Sequence, residues 1–231
     1  ENTQLKNELK QKNILLANFD KTAGISVSAD NRFESLERNI IGESSEIIRV
    51  KHFIQKYADT NDNVLIIGET GTGKDLVAEA IHKLSKRKDK IFNTVNCAAI
   101  SEELIEPTLF GVISKYPGFH NEKPLIGIFE EAHEGTVFLD EIDRMSLRGQ
   151  SKLLRLLEDQ KVIKLGETDK EGKKVDVRII ASIKPIALDK IGINFLEDLY
   201  GRLQSLFPII PSLSERKEDI PLLVSHFIDL I

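Results

Sequence analysis

A doubly wound α/β fold, with a mainly parallel sheet flanked by helices, is what these 231 residues predict. Three observations lead there. Apolar runs at 64–67, 137–139 and 175–183 are rich in Val, Ile and Leu, as in strands buried on both faces of a sheet. Segments with helical spacing of apolar residues fall between these runs, and strands alternating with helices imply parallel pairing through crossovers. The first run leads into GETGTGKD and then an amphipathic stretch, the strand, loop and helix order of a phosphate-binding loop.

The elements follow in order. Residues 1–17 are helix formers with Leu5, Leu9 and Leu16 near a coiled-coil spacing that Lys12 interrupts, so they read as a short coiled coil or a linker helix. The polar stretch 18–37 reads as linker. A helix is predicted over 45–58, with Ile47, Val50, Phe53, Ile54 and Tyr57 on one broad apolar face. After strand 64–67 and the glycine loop, Leu76, Val77, Ala80 and Ile81 continue as a helix that ends in a basic run, Lys83 to Lys90, favoured by the helix dipole and solvated. Further strands are expected at 91–95, 137–139 and 175–183, and helices at 101–110 and 147–159. Residues 162–166 and 175–178 read as extended segments joined by the polar DKEGKK loop. A last strand is expected at 206–209, followed by a helix from about Lys217. The division is then a linker over 1–37, an α/β core over 38–213 and the start of a helical lid over 214–231.

Composition narrows the function classes. A net charge of −5 argues against a general nucleic-acid binder, which carries a basic excess. One cysteine, Cys97, cannot form an internal disulfide, and the sequence shows neither a signal peptide nor an apolar run of membrane-spanning length. A cytoplasmic location without a membrane partner is the expectation.

Two motifs carry the chemistry. In the first, Gly68, Gly71 and Gly73 let the backbone of Glu69, Thr70 and Thr72 curl with its N–H groups inward, and Lys74 would reach the β and γ phosphates. Asp75 stands where a metal-binding hydroxyl usually follows the lysine, with Leu76 next. In the second, Val137, Phe138 and Leu139 end in Asp140 and Glu141. Asp140 would hold Mg²⁺ and Glu141 would polarise the attacking water. Each motif has a plainer reading, a glycine-rich turn and a strand capped by solvated acids, but their joint occurrence in one chain favours the nucleotide site.

The resemblance extends further. IIGES at 40–44, GETGTGKDLVAEAIH at 68–82, VNCAAI at 95–100, FEEAHEGTVFLDEI at 129–142, KLLRLLED, VDVRIIAS, EDLYGRL and LSERKEDIPLL occur in order. Together they resemble the central AAA+ domain of bacterial enhancer-binding proteins, which use ATP to remodel RNA polymerase carrying sigma-54. The resemblance implies a P-loop NTPase fold binding ATP or ADP with Mg²⁺, a ring of six or seven subunits, and slow, assembly-dependent hydrolysis. It implies sigma-54 holoenzyme as partner and DNA contact only through a domain outside this chain. In such a domain an acidic residue normally follows the P-loop lysine, as Asp75 does here. Ile40, Ile41 and Gly42 match the segment that packs on adenine. Asn96 matches the asparagine that restrains the catalytic glutamate, here Glu141, and Arg202 matches an arginine that completes the site of a neighbouring subunit.

Three departures accompany the resemblance. The loop that should touch sigma-54 reads VISKYPGFHNEKPLIG, where Tyr116, Gly118, Phe119 and His120 are the candidate partner contacts. The strand-end position that senses the γ-phosphate reads Ile183 and Lys184, and the first of two paired arginines falls on Leu196. These leave open a second reading, a nucleotide-binding and oligomerisation module of a transcription factor that does not engage sigma-54.

Overall fold

The computed structural model describes residue 36 and residues 39–119, 122–168 and 172–229. The coiled-coil or linker reading of 1–37 lies outside the described residues except at Leu36. Helix α1 (Ser45–Tyr57) opens on Ser44, whose hydroxyl accepts the Ile47 N–H at 3.4 Å, and turns Ile47, Val50 and Ile54 inward. Strand β1 (Val64–Ile67) is buried along its whole length. Helix α2 (Lys74–Lys83) follows the glycine loop, and β2 (Phe92–Asn96), α3 (Glu102–Phe110), β3 (Gly111–Val112) and β4 (Leu125–Ile126) come next. The single-turn helix α4 (Ile128–Glu131) leads into β5 (Thr136–Asp140), and α5 (Leu147–Asp159) spans the predicted residues. Strands β6 (Lys161–Val162), β7 (Lys173–Lys174) and β8 (Arg178–Ile183), then helices α6 (Glu197–Leu203) and α7 (Ile220–Asp229), complete the order.

The sheet runs β1, β8, β5, β2, and every pairing within it is parallel. Residues 206–210 lie along the open side of β1. Leu65 N–H donates to Leu206 O at 2.8 Å, Ile67 N–H to Pro208 O at 3.0 Å, and Ile210 N–H to Ile67 O at 2.8 Å. The predicted last strand is therefore in place but reduced to two bridges, since Pro208 has no N–H for a continuous ladder.

Alternation along the strands divides the apolar residues between two layers. Val64, Ile66, Phe138 and Ile180 face one side, under α1 and α2. Leu65, Ile67, Val137, Leu139, Ile179, Ala181 and Ile183 face the other, with residues of α3, α5 and α6. Both faces being covered explains why these strands read as continuous apolar runs.

Some boundaries differ from the expectation. Of the run 175–183 only Arg178–Ile183 joins the main sheet, and the residues just before the run, Lys173 and Lys174, pair antiparallel with β6. The last helix starts at Ile220, behind a tight turn over Lys217–Asp219, instead of at Lys217. Between α3 and α4, β3 and β4 form a narrow hairpin. Gly111 and Gly127 approach so closely that a Cβ on Gly111 would lie 2.4 Å from Leu125 O.

One buried cation ties the layers together. Arg178, at the start of β8, is 1% exposed and donates to the carbonyls of Tyr57 at 3.0 Å, Asp62 at 3.2 Å, and Ala58. These are the carbonyls at and after the end of α1, which the helix itself cannot satisfy. Replacing Arg178 with Met keeps most of the volume but orphans these acceptors. Urea unfolding of that variant is expected to show a loss of about 3 kcal/mol with an unchanged m-value.

Candidate functional site

The glycine loop leaves the end of β1 and closes back on itself. Gly71 and Gly73 adopt φ of 78° and 89°, and Gly73 caps α2 from that left-handed conformation. Thr72 Oγ1 donates to Glu69 O at 2.8 Å. Lys74 is 7% exposed, and its ammonium donates to Gly68 O at 3.1 Å and Glu69 O at 2.9 Å. The loop thus folds around its own lysine, beside the N-terminus of a helix, where N–H groups and dipole favour an anion. Asp75 is exposed in the first turn of α2, Glu69 and Thr70 are exposed on the loop, and Leu76 is 45% exposed.

The segment predicted to pack on adenine is fixed from the far end of the chain. Ile40 and Gly42 are buried and Ile41 half-buried. Lys51 Nζ donates to Gly42 O at 2.9 Å. Asp219 accepts from Glu43 N at 2.7 Å, Ser44 N at 2.8 Å and Ser44 Oγ at 2.6 Å. Arg216 extends a guanidinium N–H to Thr72 O at 3.4 Å, so the beginning of the predicted lid touches the glycine loop as well. Ser44, Lys51, Arg216 and Asp219 were not among the predicted site residues. The available signal was Lys51, a charged residue within the apolar face of the 45–58 helix; Ser44, Arg216 and Asp219 occupy positions that apolar spacing leaves unassigned.

The two carboxylates stand together at the end of β5. Asp140 Oδ1 accepts the Ser182 hydroxyl, and Asp140 Oδ2 accepts Asn96 Nδ2 at 3.1 Å. Asn96, which the resemblance implies restrains Glu141, is paired here with Asp140. The parallel register sets Asn96 directly opposite Asp140. Glu141 turns away with φ 51° and ψ 50°, a left-handed conformation that is uncommon outside glycine and concentrates at functional sites. Its N–H donates to Ser182 Oγ at 3.1 Å, its Oε1 meets Lys184 Nζ at 2.9 Å, and its Oε2 lies 3.8 Å from Arg144 Nε. Ser182, fully buried and joining both acids, was missed. A hydroxyl inside an otherwise apolar strand must find a partner, and that was the available signal.

A magnesium ion fits this donor set. Mg²⁺ takes one or two carboxylates together with phosphate oxygens and waters, and Asp140 is an anion held only by neutral donors. Among the described residues no group of three or more His, Cys, Asp or Glu forms a protein cage, which leaves shared coordination with a phosphate as the arrangement these residues can offer.

Of the other predicted residues, Ile183 ends β8 and the rest lie apart from these strand ends. Arg202 is on α6, exposed, and pairs with Glu158 of α5 at 3.3 Å. Leu196 is half-buried against the core, its N–H donating to the buried Gln150 at 2.9 Å. Ile183 is fully buried and paired with Ile67. In the candidate partner loop Tyr116 and Phe119 pack on the core with ring centroids 6.2 Å apart, Gly118 is exposed with φ 87°, and His120 lies outside the described residues. No described helix is long and apolar enough to cross a membrane.

Comparison with known proteins gives a consistent picture. The Sigma-54 interaction domain family matches residues 40–209. The transcriptional activator RocR of Bacillus subtilis is 39% identical over 224 residues, covering 96% of this chain and 46% of that protein. The nitrogen assimilation regulatory protein NtrX of Azorhizobium caulinodans is 43% identical over 194 residues, covering 83% of this chain and 41% of that protein. The crystal structure of NtrX from Brucella abortus in complex with ATP superposes with a TM-score of 0.74 at 39% identity, covering 82% of this chain and 40% of that one. The chain therefore spans less than half the length of each of these relatives.

Two outcomes follow from the geometry. Burial pushes the Asp219 carboxyl up, but the Ser44 hydroxyl, the Glu43 and Ser44 N–H groups and Arg216 outweigh it and hold the acid below its ordinary value. A depressed carboxyl contributes stability above its unfolded value of about 3.9, which is lost as pH falls through the folded value. Asp219→Asn is expected to cost about 1–2 kcal/mol near neutral pH and to flatten the acid limb of a plot of urea midpoint against pH. Burial, and then the neighbouring Asp140, push the Cys97 thiol up to about 12. A thiol reagent near neutral pH is expected to label Cys97 only at the rate at which the protein unfolds.

Proposed function

Because the chain belongs to the Sigma-54 interaction domain family of AAA+ ATPases, we propose that it binds ATP or ADP at the glycine loop and hydrolyses ATP when assembled into a ring. The ring, of six or seven subunits, would couple that cycle to remodelling of RNA polymerase holoenzyme carrying sigma-54. DNA would be contacted through a domain outside this chain. We assign residues 38–213 as the nucleotide-binding core, 214–231 as the start of a helical lid and 1–37 as an entering linker.

The observation that carries this reading is that Lys74, after the loop that leaves β1, and Asp140 and Glu141, at the end of β5, lie on the same edge of one parallel sheet. The loop N–H groups and Lys74 bind the phosphates, and Asp140 would hold Mg²⁺. Mg²⁺, when bound, would neutralise charge on the phosphate oxygens. Glu141 orients the attacking water and accepts its proton. The left-handed backbone of Glu141, held by the Ser182 hydroxyl, sets the direction of that carboxylate. Arg202 acts across a subunit boundary, and its exposed position on α6 supports contact with a neighbour.

Family membership favours sigma-54 as the partner over the alternative of a module that does not engage it. In the partner loop Tyr116 and Phe119 serve as the packed base of a tip that includes the exposed Pro117 and Gly118. This assigns the contact with sigma-54 to the exposed tip.

Calorimetry and phosphate release test the proposal. Wild type binds ADP and ATP, and Lys74→Ala binds neither. Glu141→Gln retains binding but turns over about 100-fold more slowly. Turnover per subunit rises with wild-type concentration, and Arg202→Ala abolishes that rise. Absence of nucleotide affinity in the full-length protein would refute the binding claim, and identical background traces for all variants would refute hydrolysis.

A further inference from the structure

Lys51 belongs to the face of α1 that Ile47, Val50 and Ile54 turn inward, and it is 5% exposed. A buried ammonium must be met by acceptors, and Lys51 Nζ donates to Gly42 O at 2.9 Å. The other edge of the same peptide is held as well, since Glu43 N donates to Asp219 Oδ1 at 2.7 Å. Each bond has a charged partner and is of the stronger kind. The Gly42–Glu43 peptide is thus gripped on both edges, by α1 on one side and by the turn before α7 on the other.

The grip falls where the backbone turns most easily. Gly42 has φ 142°, a conformation that favours glycine, and a Cβ there would lie 2.7 Å from Asp219 Oδ2. A peptide beside a glycine, left unfastened, can flip and exchange its carbonyl for its N–H. Upstream, Ile40 N donates to Leu36 O at 2.8 Å. Between these fixed points lie two peptides, Ile40–Ile41 and Ile41–Gly42. Among the described residues their carbonyls and N–H groups carry no hydrogen bond, and Ile41 is half-buried. They are the polar groups that this segment can offer to a base.

Resting on the nucleotide-binding reading above, we propose that Lys51 and Asp219 are positioning residues that set the choice of purine. The two purines are opposite at C6: adenine presents an amino donor there and guanine a carbonyl acceptor. A backbone whose donors and acceptors are held in one order pairs with one of these edges and leaves unpaired groups against the other. A backbone free to flip accommodates both. With ATP as the nucleotide, the order held is the one that suits the 6-amino edge. Neither charged side chain touches the base; both act through the peptide between them.

Calorimetry on the full-length protein reads this choice without relying on turnover. The probes are the slowly hydrolysed analogues ATPγS and GTPγS, each with Mg²⁺. Wild type is expected to prefer ATPγS by about 30-fold or more, and Lys51→Met to lower that preference roughly tenfold. Lys51→Arg, which keeps N–H donors, is expected to restore most of it. The second fastener gives an independent reading that holds even where Lys51→Met does not fold. Asp219→Ala is expected to lose the preference, whereas Asp219→Asn keeps an oxygen for Glu43 N–H and retains it. A purely structural role would weaken both probes equally. A wild type without purine preference, an unchanged preference in a folded Lys51→Met, or the same preference in Asp219→Ala as in Asp219→Asn would overturn the assignment while leaving nucleotide binding intact. A wild type that binds neither probe would overturn the nucleotide-binding reading and the assignment with it.

Discussion

Parallel register in the central sheet governs the arrangement of the site. Because β1, β8, β5 and β2 run the same way and pair in step, their C-terminal ends reach one edge of the sheet together. Ile67 meets Ile183, and Asn96 meets Asp140. The glycine loop, the two acids, Ser182 and Lys184 all issue from those ends. In open α/β sheets this edge is where ligands bind, and here it concentrates polar groups that could not be buried separately. A slip of one residue in β8 would exchange Ser182 for an apolar neighbour and turn its apolar side chains to the opposite layer.

The charges at that edge are balanced in pairs without being neutralised as a whole. Lys74 is satisfied by loop carbonyls, which carry no net charge, so its full positive charge remains available to an anion. Asp140 is satisfied by a hydroxyl and an amide, so its negative charge likewise remains available to a cation. Glu141 and Lys184 cancel one another. The site therefore combines a cation and an anion, each held only by neutral groups, with an ion pair beside them.

Much of this was legible in the sequence. The buried strands β1 and β5 announced themselves as unbroken apolar runs, and the spacing of Gly68, Gly71, Gly73 and Lys74 fixed the loop. α5 was predicted to the residue because its periodic face is long and ends abruptly in acid and glutamine. The run 175–183 misled because its first three residues join no strand, and nothing in VDVRIIAS marks where the sheet begins. That Asn96 stands opposite Asp140 was not legible, because it depends on register, which local sequence does not contain. Asp219 was overlooked because the Ser44 backbone it binds lies 175 residues away. Lys184 was read only as a departure from a pattern, since the sequence does not show what a lysine beyond a strand faces.

Helix α1 is held at both of its ends by groups that belong to other parts of the chain. At the C-terminal end Arg178 of β8 binds its last carbonyls, and at the N-terminal end Asp219 takes the N–H and hydroxyl of its cap residue, Ser44. The helix has 13 residues, a rod of about 20 Å. A rod pinned at one end to the sheet and at the other to the segment before α7 has little freedom to bend. Displacement at the Asp219 end becomes a torque about the Arg178 end, with the intervening 13 residues serving as the lever arm.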